Sequence, residues 1–237
     1  MGCGHRRGKA VKAGIFAAGM GSRFVKAGWD QPKPLIPVKG MPLVGRLLEN
    51  FFQAGVEKVE ILLNAEPRFD PVETYLRNHP EASRIGLCRK TTASSYESFS
   101  LVAARLGPPP FLLSTVDTLF SAEELKRFLD LRQYPPDCTL VLAVTRNRGD
   151  RKPLWVELSP EGRILGLGPS ASDRTFVTAG LYLVLAPLPL PVLFPVPALR
   201  DYLASVAKGP WKVWGAKFEQ ALDIDSPDDV RAAEGLL

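Results

Sequence analysis

A chain of 237 residues is long enough to bury a substantial core, and one α/β domain is a simpler reading than two small ones. The net charge of +5 is modest and partly lodged in the leader residues Arg6, Arg7, Lys9 and Lys12, so it is no signature of nucleic-acid binding and suits an anionic small substrate equally well. Cys3, Cys88 and Cys138 lack disulfide-framework or zinc spacing and point to a reducing, cytoplasmic setting, and no apolar run behaves as a secretory signal or a membrane span.

Residues 1–11 show no regular apolar period and read as a loose basic lead-in to a single domain over 12–237. The apolar run 13–18 has the length of a buried strand. Gly19 and Gly21 then permit a tight turn whose N–H groups can face an anion, with Arg23 and Lys33 adding positive charge beyond it. Pro42 suits the start of a helix in which Leu43, Leu47, Leu48, Phe51 and Phe52 recur at helical spacing until Gly55. A second strand at 59–63 ends at Asn64, followed by a short helix at 71–78 and a short strand at 85–88. The polar run Thr91-Thr92-Ala93-Ser94-Ser95 offers hydroxyls to cap a helix over 96–106.

Prolines 108–110 break the chain before a strand at 111–114, and Asp117 follows at the edge where open α/β sheets receive ligands. Ser121-Ala122-Glu123-Glu124 resembles a capping box opening a helix to Leu131, and 139–145 is another strand. Beyond it the runs 154–158, 163–167 and 176–185, set around turns at Pro160-Glu161-Gly162 and Gly168-Pro169, read as antiparallel ribbon added to the sheet. The proline-rich stretch 186–197 is a connector packed on the surface in preference to a partner-binding strip. A helix at 198–206, a strand at 211–218 and a helix from Pro227 complete an α/β, doubly wound, mostly parallel, Rossmann-like sheet.

Ala17-Ala18-Gly19-Met20-Gly21-Ser22-Arg23, followed by Pro32-Lys33-Pro34-Leu35, resembles the two-part signature of the nucleotidyltransferase superfamily, which includes sugar-phosphate nucleotidyltransferases and MobA-like NTP transferases. Ala18 stands where the family often has a glycine. The resemblance implies nucleotidyl transfer from a nucleoside triphosphate to a phosphorylated small acceptor, a sugar 1-phosphate being expected, with release of pyrophosphate. It divides the domain into a nucleotide-binding half, 12–145, and an acceptor-binding half, 146–237. It assigns Ala17, Ala18, Gly19, Met20, Gly21, Ser22, Thr92, Ser94 and Ser95 to the nucleotide, Arg23, Lys33 and Asp117 to catalysis, and Thr178 and Gly180 to the acceptor, whose phosphate the basic Lys152 of the same half could also meet.

Magnesium is the expected cofactor, with Asp117 and Asp225 as ligands; Asp225 comes from Asp223-Ile224-Asp225-Ser226-Pro227, which resembles a stretch near the C-terminus of several branches. If that stretch is extended, Asp223 and Asp225 point the same way and Ile224 points to the core. Competing structural duties remain open: Ser94 or Ser95 as a helix cap, Ser226 or Asp225 as the cap of the last helix, and Thr178, Gly180 and Lys152 as ordinary ribbon and turn residues. A dinucleotide-dependent oxidoreductase is disfavoured, because Phe24 occupies the place of the third glycine and the second strand ends at Asn64 where an acidic residue is needed. A non-catalytic nucleotide-binding module, or transfer to phosphocholine or a molybdopterin, stays open, as do the base and the oligomeric state.

Overall fold

A computed structural model of the protein describes residues 11–146, 153–189 and 198–236. The run after the lead-in forms β1 (Lys12–Ala17), and the glycine turn opens a five-residue helix, α1 (Ser22–Lys26). β2 (Pro37–Val38) and β3 (Met41–Pro42) make a small ribbon, so Pro42 precedes the helix that the sequence pattern starts there. That helix, α2 (Leu43–Gln53), is followed by β4 (Val59–Leu63), α3 (Asp70–Arg77), β5 (Ile85–Arg89), α4 (Ser95–Leu106) and β6 (Phe111–Thr115). β7 (Thr118–Leu119) leads to α5 (Ala122–Phe128), which stops short of Leu131; a 3-10 turn follows, begun by the Asp130 carboxylate accepting from the Arg132 N–H. The remaining elements are β8 (Leu140–Thr145), β9 (Trp155–Leu158), β10 (Ile164–Leu167), β11 (Phe176–Val184), α6 (Leu199–Lys208), β12 (Val213–Phe218), β13 (Leu222–Asp223) and α7 (Pro227–Leu236).

β1 is central. It pairs in parallel with β4 on one side and β6 on the other, and β5 extends the sheet beyond β4. β11 runs antiparallel to β6 and to β8, and β12 then lies parallel to β8. The expected antiparallel ribbon is therefore present as β9, β10 and β11, whereas β12 at the far edge lies parallel to β8. Side-chain alternation along a strand shows its two faces and not the direction of its partner, so this was hidden in the sequence.

The apolar faces explain the layering. α2, α3 and α5 bury Leu48, Phe51, Val72, Leu76, Leu125 and Phe128 against one face, with Ile15 and Ile61 from the strands. α4 and α6 bury Phe99, Val102, Tyr202 and Val206 against the other, with Leu113 and Leu142. At about 25 cal/mol per Å² of apolar surface removed from water, these two interfaces supply the main drive for folding. A third, smaller core joins Phe24, Ile36, Leu119, Ile224 and Val230, and so packs α1 and α7 together at the edge where β1 and β6 end.

β11 changes neighbours part-way along. Residues 181–184 pair with β6, whereas 176–177 pair with β9, and the register against β8 shifts between Thr178 and Tyr182. Gly180 sits in that irregularity with φ 63, where a side chain would be strained and a Cβ would stand 2.2 Å from Thr118 Oγ1 and 2.4 Å from Thr115 Oγ1. The change of partner opens a cleft between the end of β6 and the start of β9. Most of the proline-rich 186–197 connector lies outside the described residues, although Leu188 packs on the α4–α6 core.

Candidate active site

The parallel pairing of β1 with β6 delivers the glycine loop and Asp117 to the same edge of the sheet. Gly21 adopts φ 62 as the residue before α1, and a Cβ there would stand 3.1 Å from Lys33 Cβ, so glycine lets this loop close onto the lysine loop. Among the described non-glycine residues only Lys39 has positive φ, which shows that Ala18 needs no glycine-like backbone. Gly19, Met20 and Gly21 donate no N–H to an acceptor among the described residues. All three line a cavity, where unengaged backbone N–H groups can receive an anion.

Lys33 opens a 3-10 turn between Pro32 and Pro34 and is itself buried. Its ammonium donates to Asp117 Oδ2 at 2.5 Å and to Asp225 Oδ1 at 2.7 Å, while Arg23 Nη1 lies 2.6 Å from Asp225 Oδ2. Burial opposes the charge on Lys33, but the two carboxylates outweigh it and raise the pKa above the usual lysine range. For Asp225, burial pushes the carboxyl up, and Lys33 and Arg23 more than reverse this, leaving it below the usual range. Asp223 is different. It is half-buried, accepts a 2.7 Å bond from the Thr118 hydroxyl, and is pushed up to about 7 by burial and then by the charge of Asp117.

The C-terminal segment is held in register by β13 pairing with β7, which sets Asp223 opposite Thr118, and by the Ile224 N–H donating to the Asp117 carbonyl. Asp229 reaches back to accept from the Asp225 N–H at 3.0 Å and the Ser226 hydroxyl at 2.8 Å. Asp229, rather than Asp225, therefore ties down the entry to α7, and the Asp225 carboxylate is left for Lys33 and Arg23.

Two cavities meet here. One, of about 470 Å³, is lined by the glycine loop, Lys33, Asn64, Thr92, Ser98 and Asp117. The other, of about 230 Å³, occupies the cleft left by β11 and is lined by Thr115, Asp117, Leu154, Thr178, Gly180 and Arg200. Ser94 and Ser95 border the first cavity with hydroxyls already engaged: Ser94 Oγ accepts from the Glu97 N–H at 3.1 Å, and Ser95 Oγ accepts from the Leu199 N–H at 2.9 Å. The Glu97 carboxylate returns the contact by accepting from the Ala93 N–H, which completes a reciprocal cap of α4. Thr92 shares its hydroxyl with Ser98 at 2.7 Å.

Ala17 is buried in β1 and packs into the core, and Ser22 is exposed at the start of α1; neither lines either of these two cavities. Lys152 falls outside the described residues. Arg200, in the first turn of α6, and the buried Asn64 were missed in the sequence, because neither stands in a motif; only the strand-end and helix-start positions marked them.

Asp117 and Asp225 already converge on a cation, the Lys33 ammonium, and two carboxylate oxygens so disposed suit a hard divalent ion such as magnesium. Among the described residues no three acidic, histidine or cysteine side chains gather on one point. An ion held here would thus complete its oxygen shell from substrate and water.

A doubly wound α/β sheet with a glycine loop, a fixed lysine and paired carboxylates at its strand ends defines a protein of the nucleotide-handling class. The chain belongs to the MobA-like NTP transferase domain family, which matches residues 13–217. A Bacillus subtilis UTP–glucose-1-phosphate uridylyltransferase is 33% identical over 92 residues, covering 37% of this chain and 32% of that protein. A Lancefieldella rimae 2-aminoethylphosphonate cytidylyltransferase is 25% identical over 175 residues, 73% of this chain and 66% of that protein. The matches thus span less than two thirds of these relatives' lengths. Among solved structures, an inositol-1-phosphate CTP transferase from T. maritima superimposes with a TM-score of 0.75 at 20% identity, covering 96% of each chain. A UDP-glucose pyrophosphorylase complexed with UDP-glucose gives 0.77 at 20% identity, over 96% of this chain and 98% of that one. These likenesses show the fold.

Proposed function

We propose that the protein is a nucleotidyltransferase, joining a nucleoside monophosphate from a triphosphate to a phosphorylated small acceptor and releasing pyrophosphate. The observation that carries this reading is the placement of Asp117 on the wall of both cavities with Lys33 clamped to it, since the reacting phosphates must meet between the two substrates. The larger cavity receives the triphosphate and the smaller one the acceptor.

Both substrates are anions, so the barrier is lowered chiefly by alignment and neutralisation. The N–H groups of Gly19, Met20 and Gly21 bind phosphate oxygens. Lys33 holds positive charge at the α-phosphate under all ordinary conditions, given its raised pKa. Arg23 presents a planar fork to the leaving pyrophosphate. An acceptor oxygen then attacks the α-phosphorus opposite the bridging oxygen, whose bond breaks as the new one forms. Arg200, which lines the smaller cavity, keeps the acceptor phosphate in line. Asp117 and Asp225 would hold magnesium, which supplies Lewis-acid neutralisation of the phosphate oxygens when bound.

A sugar 1-phosphate is the favoured acceptor, supported by the names of the uridylyltransferase relatives. The phosphonate cytidylyltransferase, matched over more of the chain, makes small phosphonate and phosphocholine acceptors the alternatives to include. No helix among the described residues is long and apolar enough to cross a membrane, Cys88 and Cys138 are free, and a cytoplasmic setting is part of the same proposal. Pyrophosphate release measured over UTP, CTP, GTP and dTTP against sugar 1-phosphates, 2-aminoethylphosphonate, phosphocholine and molybdopterin tests it. Turnover with one pair in magnesium is expected. Nucleotide binding with no turnover across the panel would instead make the protein a regulatory module.

A further inference from the structure

The Asn64 side chain, buried at the end of β4, has no part in the chemistry just described, yet it ties together three segments that line the larger cavity. Its Nδ2 donates to the Ala18 carbonyl at 3.1 Å. Its Oδ1 accepts from the Glu66 N–H at 3.0 Å and from the Thr91 hydroxyl at 2.9 Å. A backbone N–H can only donate and a carbonyl can only accept, so these partners admit one orientation of the amide.

The backbone around Asn64 is held just as firmly. Arg89 donates through Nε to the Asn64 carbonyl at 3.3 Å and through Nη2 to the carbonyls of Ala65 at 3.2 Å and Glu66 at 2.7 Å. Its Nη1 joins Asp70 at 2.5 Å and Glu73 at 3.1 Å, which anchors the guanidinium to α3. The loop bearing Asn64 therefore meets the glycine loop as a rigid part.

In a trans peptide the carbonyl and the next N–H point in opposite directions. Drawing the Ala18 carbonyl to Asn64 turns the Gly19 N–H away from it, on a residue that lines the cavity and where a Cβ would meet nothing within 4 Å. We propose that Asn64 is a positioning residue for the nucleotide: it aims the Gly19 N–H at a phosphate oxygen of the triphosphate and, through Thr91 and Glu66, fixes the wall of the same cavity. This rests on the assignment of the larger cavity to the triphosphate.

Asn64→Asp is nearly isosteric and keeps the bonds from Glu66 and Thr91, but sets a carboxylate oxygen against the Ala18 carbonyl. The triphosphate KM should rise about tenfold or more at about pH 8, with the acceptor KM within about twofold of the parent. The defect should shrink towards about pH 5, where a protonated carboxyl donates to Ala18 again. A triphosphate KM within about twofold of the parent, an equal rise in both KM values, or the same rise at both pH values overturns the proposal. Should the Asp variant fail to fold, Asn64→Ala removes the amide, donor and acceptor together, without adding charge, and the same contrast between the two KM values decides. Calorimetric titration of the parent with UTP, CTP, GTP and dTTP separates the two ideas. A parent that binds none of them sinks the nucleotide reading, whereas parent and variant binding equally sinks the role of Asn64.

Discussion

Ile224 donates its backbone N–H to the carbonyl of Asp117 at 2.9 Å, and this bond seats a segment from the end of the chain beside the glycine loop. Ile224 is wholly buried with Phe24 and Val230, so its neighbours Asp223 and Asp225 turn towards the cavity that both line. The two acids then diverge in chemistry. Asp225 meets Lys33 and Arg23, while Asp223 accepts from the Thr118 hydroxyl and feels burial and the repulsion of Asp117 more than the pull of Lys33. Electrostatics at the site thus depends on packing in the smallest core, since a shift of α7 would move both carboxylates.

Lys33→Met should keep most of the buried volume while removing the charge, and turnover should fall by about a hundredfold or more. Stability should fall with it by about 1–3 kcal/mol near neutrality, a figure reduced for the partial exposure of the carboxylates. The pH window follows from the two shifts. Asp225 is lowered from its ordinary 3.8, so its stabilising share is present above that pH and is lost as pH falls through the folded value. Lys33 is raised from 10.5, so its share is present below that pH and is lost as pH rises through the folded value. Thermal melts of parent and variant should therefore differ most between about pH 5 and 9 and converge in acid. A constant difference down to about pH 2 would remove Asp225 as the partner.

The two acids at the end of β13 and just beyond it are separable by their demand for magnesium. Asp225→Asn should raise the magnesium concentration needed for half-maximal turnover by about tenfold or more, and Asp117→Asn should depress turnover at any concentration. Asp223→Asn should leave the magnesium requirement within about threefold of the parent, because its carboxylate is engaged with Thr118. Chelation should abolish turnover and magnesium restore it. A larger magnesium defect in Asp223→Asn than in Asp225→Asn would exchange their roles.

Asp223 also carries a pH signature of its own. Its folded pKa is raised from 3.8 to about 7 by burial and then by the charge of Asp117, so the folded state binds the proton more tightly than the unfolded chain. Stability contributed by the protonated group is complete below 3.8 and is lost as pH rises through about 7. Asn can still accept from Thr118 and never ionises. In metal-free buffer Asp223→Asn should match the parent at about pH 3 and exceed it by about 1–3 kcal/mol at about pH 8, measured by urea titration. Equal stability at both would show that the carboxylate is well solvated.

Much of this was legible because it is local. The apolar run before Gly19, the prolines around Lys33 and the hydroxyls ahead of α4 each act within a few residues, and strand, 3-10 turn and capped helix lie there. Asp117 was legible from its place after a buried strand. What composition and spacing could not carry is contact between distant segments: Asp117 with Ile224, Asn64 with Ala18, and β12 beside β8. The α7 entry was open to Ser226 or Asp225, since only the folded loop shows that Asp229 reaches back.

Arg200 is the sharpest example of a residue that only the fold reveals. It follows a proline-rich stretch and begins an amphipathic helix, where an arginine ordinarily reads as solvated, yet α6 packs beside α4 with the Leu199 N–H bonded to Ser95 Oγ. That contact sets the first turn of α6 over the smaller cavity, whose wall Arg200 shares with Asp117 and Asp225. A guanidinium there would hold the acceptor phosphate and offset the acids that would repel it. Arg200→Ala should raise the acceptor KM by about tenfold or more and leave the triphosphate KM within about twofold, with Arg200→Lys recovering part of the loss. Steady-state kinetics with each substrate varied in turn gives both constants. A rise confined to the triphosphate KM would place Arg200 on the nucleotide instead and reverse the assignment of the two cavities.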